Sequence, residues 1–182
     1  MMQVNNALYK TSIIIGANKI KQISWYFINA IIFKSALFPI NTLKVLLLKM
    51  FGAQLGEGIV IKPGVNIKFP WKLAIGNHSW IGEGVWIDNL ATVTIGSSVC
   101  ISQNAYLLTG NHNFKKQSFD LITTPIIIED GVWIGASAIV CPGVICGSHA
   151  VLSVASVATK NMDPYHIYKG NPAEKVSLRV IE

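Results

Sequence analysis

The chain has 182 residues, of which 51% are hydrophobic and only 13% charged. This excludes a mainly disordered chain and suits one domain with an appended segment. The net charge of +6 fits an anionic ligand or a membrane surface without selecting either. Three cysteines, Cys100, Cys141 and Cys146, occur without C-x-x-C spacing. They argue against a disulfide framework or a zinc site, and for a reducing compartment. A secretory-signal pattern is not evident, so a cytoplasmic location is expected.

Residues 1–50 set lysines (Lys19, Lys21, Lys34, Lys44, Lys49) among apolar clusters. The pattern predicts one or two amphipathic helices broken near Pro39. The apolar run from Ile23 is ended by Lys34, short of the roughly 20 residues that span a bilayer. Two uses stay open for this segment. It can pack on the main domain or a neighbouring subunit, or it can rest peripherally on the inner membrane surface.

After Phe51 a six-residue rhythm begins. Leu55, Ile61 and Ile67 are followed, after a two-residue slip, by Ile75, Ile81 and Ile87. A second slip leads to Ile95, Ile101 and Leu107. The rhythm breaks and resumes at Ile128, Ile134, Val140, Cys146, Leu152 and Ala158. Glycine often follows directly, as at Gly76, Gly96 and Gly135, and small or β-branched residues precede the next aliphatic by two. Each unit thus offers one large inward residue, a corner, and a small residue inside that corner. Glycine would supply the corner's backbone angles and its close approach. A period of six is the mark of a β-helix whose stacked units share one core. The expected fold is therefore all-β, a parallel β-helix of about five coils over 51–163. An N-terminal helical segment over 1–50 and a C-terminal tail over 164–182 complete it.

The rhythm fails between Leu108 and Pro125. No strand is predicted for this excursion, 109–125, and such loops in regular folds are usually functional or disordered. It carries His112 between Asn111 and Asn113.

The runs WIGEGVWIDNL, VTIGSSVCISQNAYLLTGNHNF and PIIIEDGVWIGASAIVCPGVICGSHAVLSVASVATKNM, closed by GNPAEKV, resemble the hexapeptide-repeat acyltransferases. The resemblance is greatest to the colanic-acid, WcaF-like branch, near the galactoside, maltose and nodulation-factor O-acetyltransferases. It extends over about residues 43–176 and rests on repeat, histidine loop and GNPA tail occurring in order. It implies a left-handed β-helix, a homotrimer, and acetyl-CoA as acyl donor in clefts between subunits, with no metal.

An acceptor hydroxyl is a poor nucleophile until its proton is removed, and histidine titrates near working pH. By resemblance His112 is that general base, acting in direct transfer without an acyl-enzyme. The resemblance also places Trp133, Ala136 and Val154 along the pantetheine arm, and Thr159, Lys160 and Lys175 near the nucleotide and its phosphates. Arg179 matches only approximately. On the acceptor side Asp88 and Asn89 interrupt the glycine pattern, and polar groups at a coil corner can bond a sugar hydroxyl; an ordinary turn is the other reading. Asp88 is also a candidate to orient a histidine. The expected acceptor is a saccharide or lipid-linked saccharide of surface polysaccharide synthesis. Nucleic acid is not expected, since the sequence lacks a matching basic-aromatic pattern. Three other readings stay open: N-acetylation of an amino sugar, a zinc enzyme needing three converging histidines, and a non-catalytic binding module.

Overall fold

The computed structural model describes residues 3–11 and 13–182. Three parallel sheets form the faces of a prism. Sheet one stacks β1 (Gln54–Leu55), β4 (Leu73–Ile75), β7 (Val93–Ile95), β12 (Ile126–Ile128) and β15 (Ile145–Cys146). Sheet two stacks β2 (Val60–Ile61), β5 (Trp80–Ile81), β8 (Cys100–Ile101), β13 (Trp133–Ile134), β16 (Val151–Leu152) and β18 (His166–Gly170). Sheet three stacks β3 (Asn66–Ile67), β6 (Trp86–Asp88), β9 (Tyr106–Leu108), β14 (Ile139–Val140) and β17 (Val157–Ala158). The chain visits the three faces in turn, as the six-residue period requires. Every inward position of the rhythm except Leu55 is buried, as are the small corner residues from Ile59 to Ser156. These stacked aliphatics form one continuous core along the axis.

The slips in the rhythm have a single geometric cause. Before the insertion a coil takes twenty residues, since Trp80 pairs with Cys100 and Trp86 with Tyr106. After it a coil takes eighteen, since Trp133 pairs with Val151 and Ile139 with Val157. Both slips, and the insertion itself, fall where the chain passes from sheet three to sheet one. One edge of the prism therefore carries all of the irregular chain.

The expectation that one glycine provides both corner angles and close approach is corrected. A Cβ on Gly76 or Gly135 would come within 2.6 Å of backbone atoms in the next coil, so these glycines serve close approach alone. The left-handed backbone falls two residues later, at His78 (φ 57°) and Ser137 (φ 56°).

Two helices replace the coil that would precede the first. They are α1 (Lys19–Ile28), continued by a π-helical turn over Asn29–Phe33, and α2 (Asn41–Met50). The first coil exposes one edge of unpaired backbone, which must find partners. Trp25 Nε1 donates to the Ile67 carbonyl (2.8 Å), and Asn29 Oδ1 accepts from the Ile67 N–H (3.2 Å). The Asn41 amide bridges the Ile59 carbonyl and the Ile61 N–H, and Lys44 Nζ donates to the Lys62 carbonyl. Trp25, Phe33 and Leu48 are buried over the end of the core. The helices therefore pack on the main domain, through one face.

One further expectation is corrected. The excursion is not strand-free: β10 (Gly110–His112) and β11 (Leu121–Thr123) form an antiparallel hairpin. In the C-terminal tail β18 adds a sixth parallel strand to sheet two, and β19 (Ala173–Leu178) folds back on it. The solenoid consequently has about six turns rather than five.

Candidate active site

The hairpin is fixed at its foot by Thr109, which is fully buried. Its hydroxyl donates to the Asp88 carbonyl (2.7 Å) and accepts from the Ala91 N–H (3.1 Å), while its own carbonyl takes the Thr124 N–H (3.0 Å). The excursion thus leaves and rejoins the prism through one residue tied to the coil below.

His112 ends β10 and is half-buried. Its Nδ1 lies 2.9 Å from the Phe119 carbonyl, and its ring stacks on the Phe119 ring at 4.4 Å and 8°. A carbonyl oxygen only accepts, so the neutral imidazole carries its proton on Nδ1. The lone pair is then on Nε2, which has no hydrogen-bond partner among the described residues. This is the tautomer a general base needs. Phe119 adopts φ 48°, a region costly for a bulky side chain, and so turns its carbonyl toward the imidazole. The Tyr9 ring lies 6.2 Å from His112. The chain before α1 follows the same edge: the Asn5 N–H donates to the Gln117 carbonyl and the Lys10 N–H to Asp120 Oδ1. Asp120 also binds Lys116 within the loop. That bond, with the one from the Lys10 N–H, holds its carboxyl down to about 2.

Asp88 does not orient His112; the Phe119 carbonyl does. The Asp88 carboxylate pairs instead with Lys68 (2.9 Å) and accepts from the Tyr106 hydroxyl (3.3 Å). Burial, reinforced by that carboxylate, pushes the Tyr106 hydroxyl up to about 12. Asn89 is fully buried, and its amide accepts from the Phe69 N–H and donates to the Phe69 carbonyl. It holds a corner together and in this chain offers an acceptor no surface.

The cofactor candidates divide between two edges of the prism. Trp133 points outward, 47% exposed, and donates from Nε1 to Ser102 Oγ (2.9 Å). Ala136 and Val154 follow it on adjacent coils of the edge between sheets two and three, where the Ala155 N–H donates to the Ala136 carbonyl. Thr159 and Lys160 lie beyond β17 on the edge that carries the hairpin, and both are exposed. Lys160 and Lys175 line one cleft of about 210 Å³. Lys175 pairs there with Asp163 (2.6 Å), which raises the Lys175 pKa and lowers that of Asp163. Arg179 donates to the Gly131 and His149 carbonyls, a clasp between coils rather than a free cation.

The other histidines are dispersed. His78 and His149 occupy left-handed corner positions, and His149 stacks on Tyr165. Among the described residues no three His, Cys, Asp or Glu side chains are grouped as a metal site requires. Phe119, Thr109 and Tyr9 were not legible as site residues, because their roles depend on a backbone carbonyl, a buried hydroxyl and a distant segment.

A prism of stacked hexads with a histidine hairpin on one edge defines a β-helix acyltransferase architecture. No protein-family model matches the chain. It is 36% identical over 165 residues to a protein of Escherichia coli (strain K12) provisionally named colanic acid biosynthesis acetyltransferase WcaF, covering 91% of each chain. It is 30% identical to the galactoside O-acetyltransferase of the same organism, over 71% of this chain and 66% of that one. Among solved structures, the hexapeptide-repeat acetyltransferase VCA0836 of Vibrio cholerae complexed with acetyl coenzyme A superposes with a TM-score of 0.79. The identity is 25%, over 89% of each chain. The chain belongs to the hexapeptide-repeat acetyltransferases.

Proposed function

We propose that this acetyltransferase moves an acetyl group from acetyl-CoA to a saccharide hydroxyl in surface-polysaccharide synthesis, with His112 as general base. The observation that carries the reading is the contact of His112 Nδ1 with the Phe119 carbonyl (2.9 Å), which leaves Nε2 without a partner among the described residues. His112 would take the acceptor proton as the oxygen attacks the thioester carbonyl. It would return that proton to the thiolate released when the tetrahedral centre collapses. Holding two reactants together supplies much of the remaining rate enhancement, and one backbone N–H suffices for the oxyanion.

The residues present fit acetyl-CoA. Trp133 offers an exposed aromatic face for the pantetheine arm, with Ala136 and Val154 beside it. Lys160 and Lys175 bring two ammonium groups to one cleft, where phosphates are favoured. Because these groups lie on two edges of one chain, a homotrimer with donor clefts between subunits brings them to a common ligand. Outward Trp80 and Trp86, both exposed, suit subunit contacts. Asp88 is the acceptor-side candidate that retains some exposure.

The test is an acetyl-CoA turnover screen against saccharides, nucleotide sugars and lipid-linked saccharides, reading thiol release and identifying the product. An O-acetyl ester supports the reading. Acetylation confined to amino groups would replace it with N-transfer, and failure to bind acetyl-CoA in calorimetry would leave a non-catalytic module.

A further inference from the structure

The chain carries its entire net charge in its first fifty residues. Lys10, Lys19, Lys21, Lys34, Lys44 and Lys49 occur there without one Asp or Glu, while the nine remaining basic residues match the nine acidic ones. From Lys19 onward this basic segment forms the plate that closes one end of the prism. Its inner face is accounted for by Trp25, Phe33, Leu48 and the asparagines bonded to the first coil. The outer face of α1 is apolar as well. Ile20, Ile23, Phe27 and Ile31 recur at spacings of three and four, and each is more than half exposed. Leu46 and Met50 repeat the pattern on the outer side of α2. Both helices bond to the same edge of the first coil, so their outer faces look the same way, along the solenoid axis. Lys19, Lys34 and Lys49 stand exposed around them. No helix among the described residues is long and apolar enough to cross a membrane.

We infer that this end plate docks on an anionic lipid surface, its apolar stripe entering the headgroup boundary and its lysines meeting lipid phosphates. Charge selects this occupant: a second copy of the plate would bring like charges together, whereas a bilayer offers apolar depth beneath a negative surface. The prism then stands with its axis across the membrane plane. The inference is independent of the acyl-transfer reading.

The test is co-sedimentation of the full chain with vesicles of phosphatidylcholine alone and of phosphatidylcholine mixed with phosphatidylglycerol. Binding is expected to the mixed vesicles and to fall as salt is raised. The pairs Phe27→Gln with Ile31→Gln, and Lys19→Gln with Lys49→Gln, should each weaken it by about tenfold. All four side chains are exposed, so melting temperatures should be unchanged. Absence of binding to mixed vesicles at low salt would overturn the proposal, as would binding by both variants as tight as that of the parent protein. End-to-end self-association that Phe27→Gln with Ile31→Gln abolishes, without lipid binding, would assign the face to a second copy instead.

Discussion

Replacing Thr109 with valine removes one buried hydroxyl from the foot of the His112 hairpin while keeping side-chain shape. The Asp88 carbonyl keeps two other donors, the Leu90 and Thr109 N–H groups. The Ala91 N–H loses its acceptor. An unsatisfied buried donor costs about 1–3 kcal/mol. Ala91 is only half-buried, which allows water in and puts the expected loss near the lower figure. For a chain of this length that is a fall in Tm of about 2–4 °C. Thr109→Ser keeps the hydroxyl and should stay close to the parent protein. Activity should fall more than stability, because a displacement of the proposed base by about 1 Å can cost on the order of a hundredfold in rate. Thermal melting and steady-state thiol release, run on both variants, separate the two effects. A valine variant that melts and turns over like the parent would refute the claim that this hydroxyl anchors the hairpin.

Other outcomes follow from the packing and the charges. Gly135→Ala places a Cβ 2.6 Å from the Val154 backbone nitrogen, which cannot swing aside; we expect a loss of about 2 kcal/mol or more in chemical denaturation. Asp120 has its carboxyl depressed to about 2, so its bonds to Lys116 and to the Lys10 N–H contribute above the ordinary carboxylate range and disappear as pH falls toward that value. Protection of the Lys10 amide from hydrogen exchange, relative to its intrinsic rate, should fall between about pH 4 and pH 2 while core strands stay protected, and Asp120→Asn should abolish that dependence. Unchanged protection at Lys10 across the interval would contradict the assignment.

The solenoid was legible because each inward position admits only a residue that fills the core, so Ile61, Ile81 and Ile101 repeat in register. The slips were visible, but their stacking on one edge was not, since it emerges only when coils of twenty residues align. The two helices of the end cap were legible in the lysine-spaced apolar clusters, but their bonds were not: Asn29 and Asn41 bond to backbone groups some distance along the chain, and no side-chain pattern marks such partners. β10 and β11 have three residues each and no apolar alternation, which left the excursion looking like a loop. His112 stood out through its setting in the resemblance. Its partner did not, because a carbonyl carries no residue signature. Asn89 looked like a free polar corner, and only its burial against Phe69 shows otherwise.

The proposed reaction depends on a single nitrogen atom, His112 Nε2. Its decisive test is single-turnover acetyl transfer by His112→Ala, with acetyl-CoA binding and Tm measured on the same preparation. A loss of about 10²–10⁴-fold in the transfer step is expected, with binding and melting preserved. Transfer at close to the parent rate by that variant would contradict it.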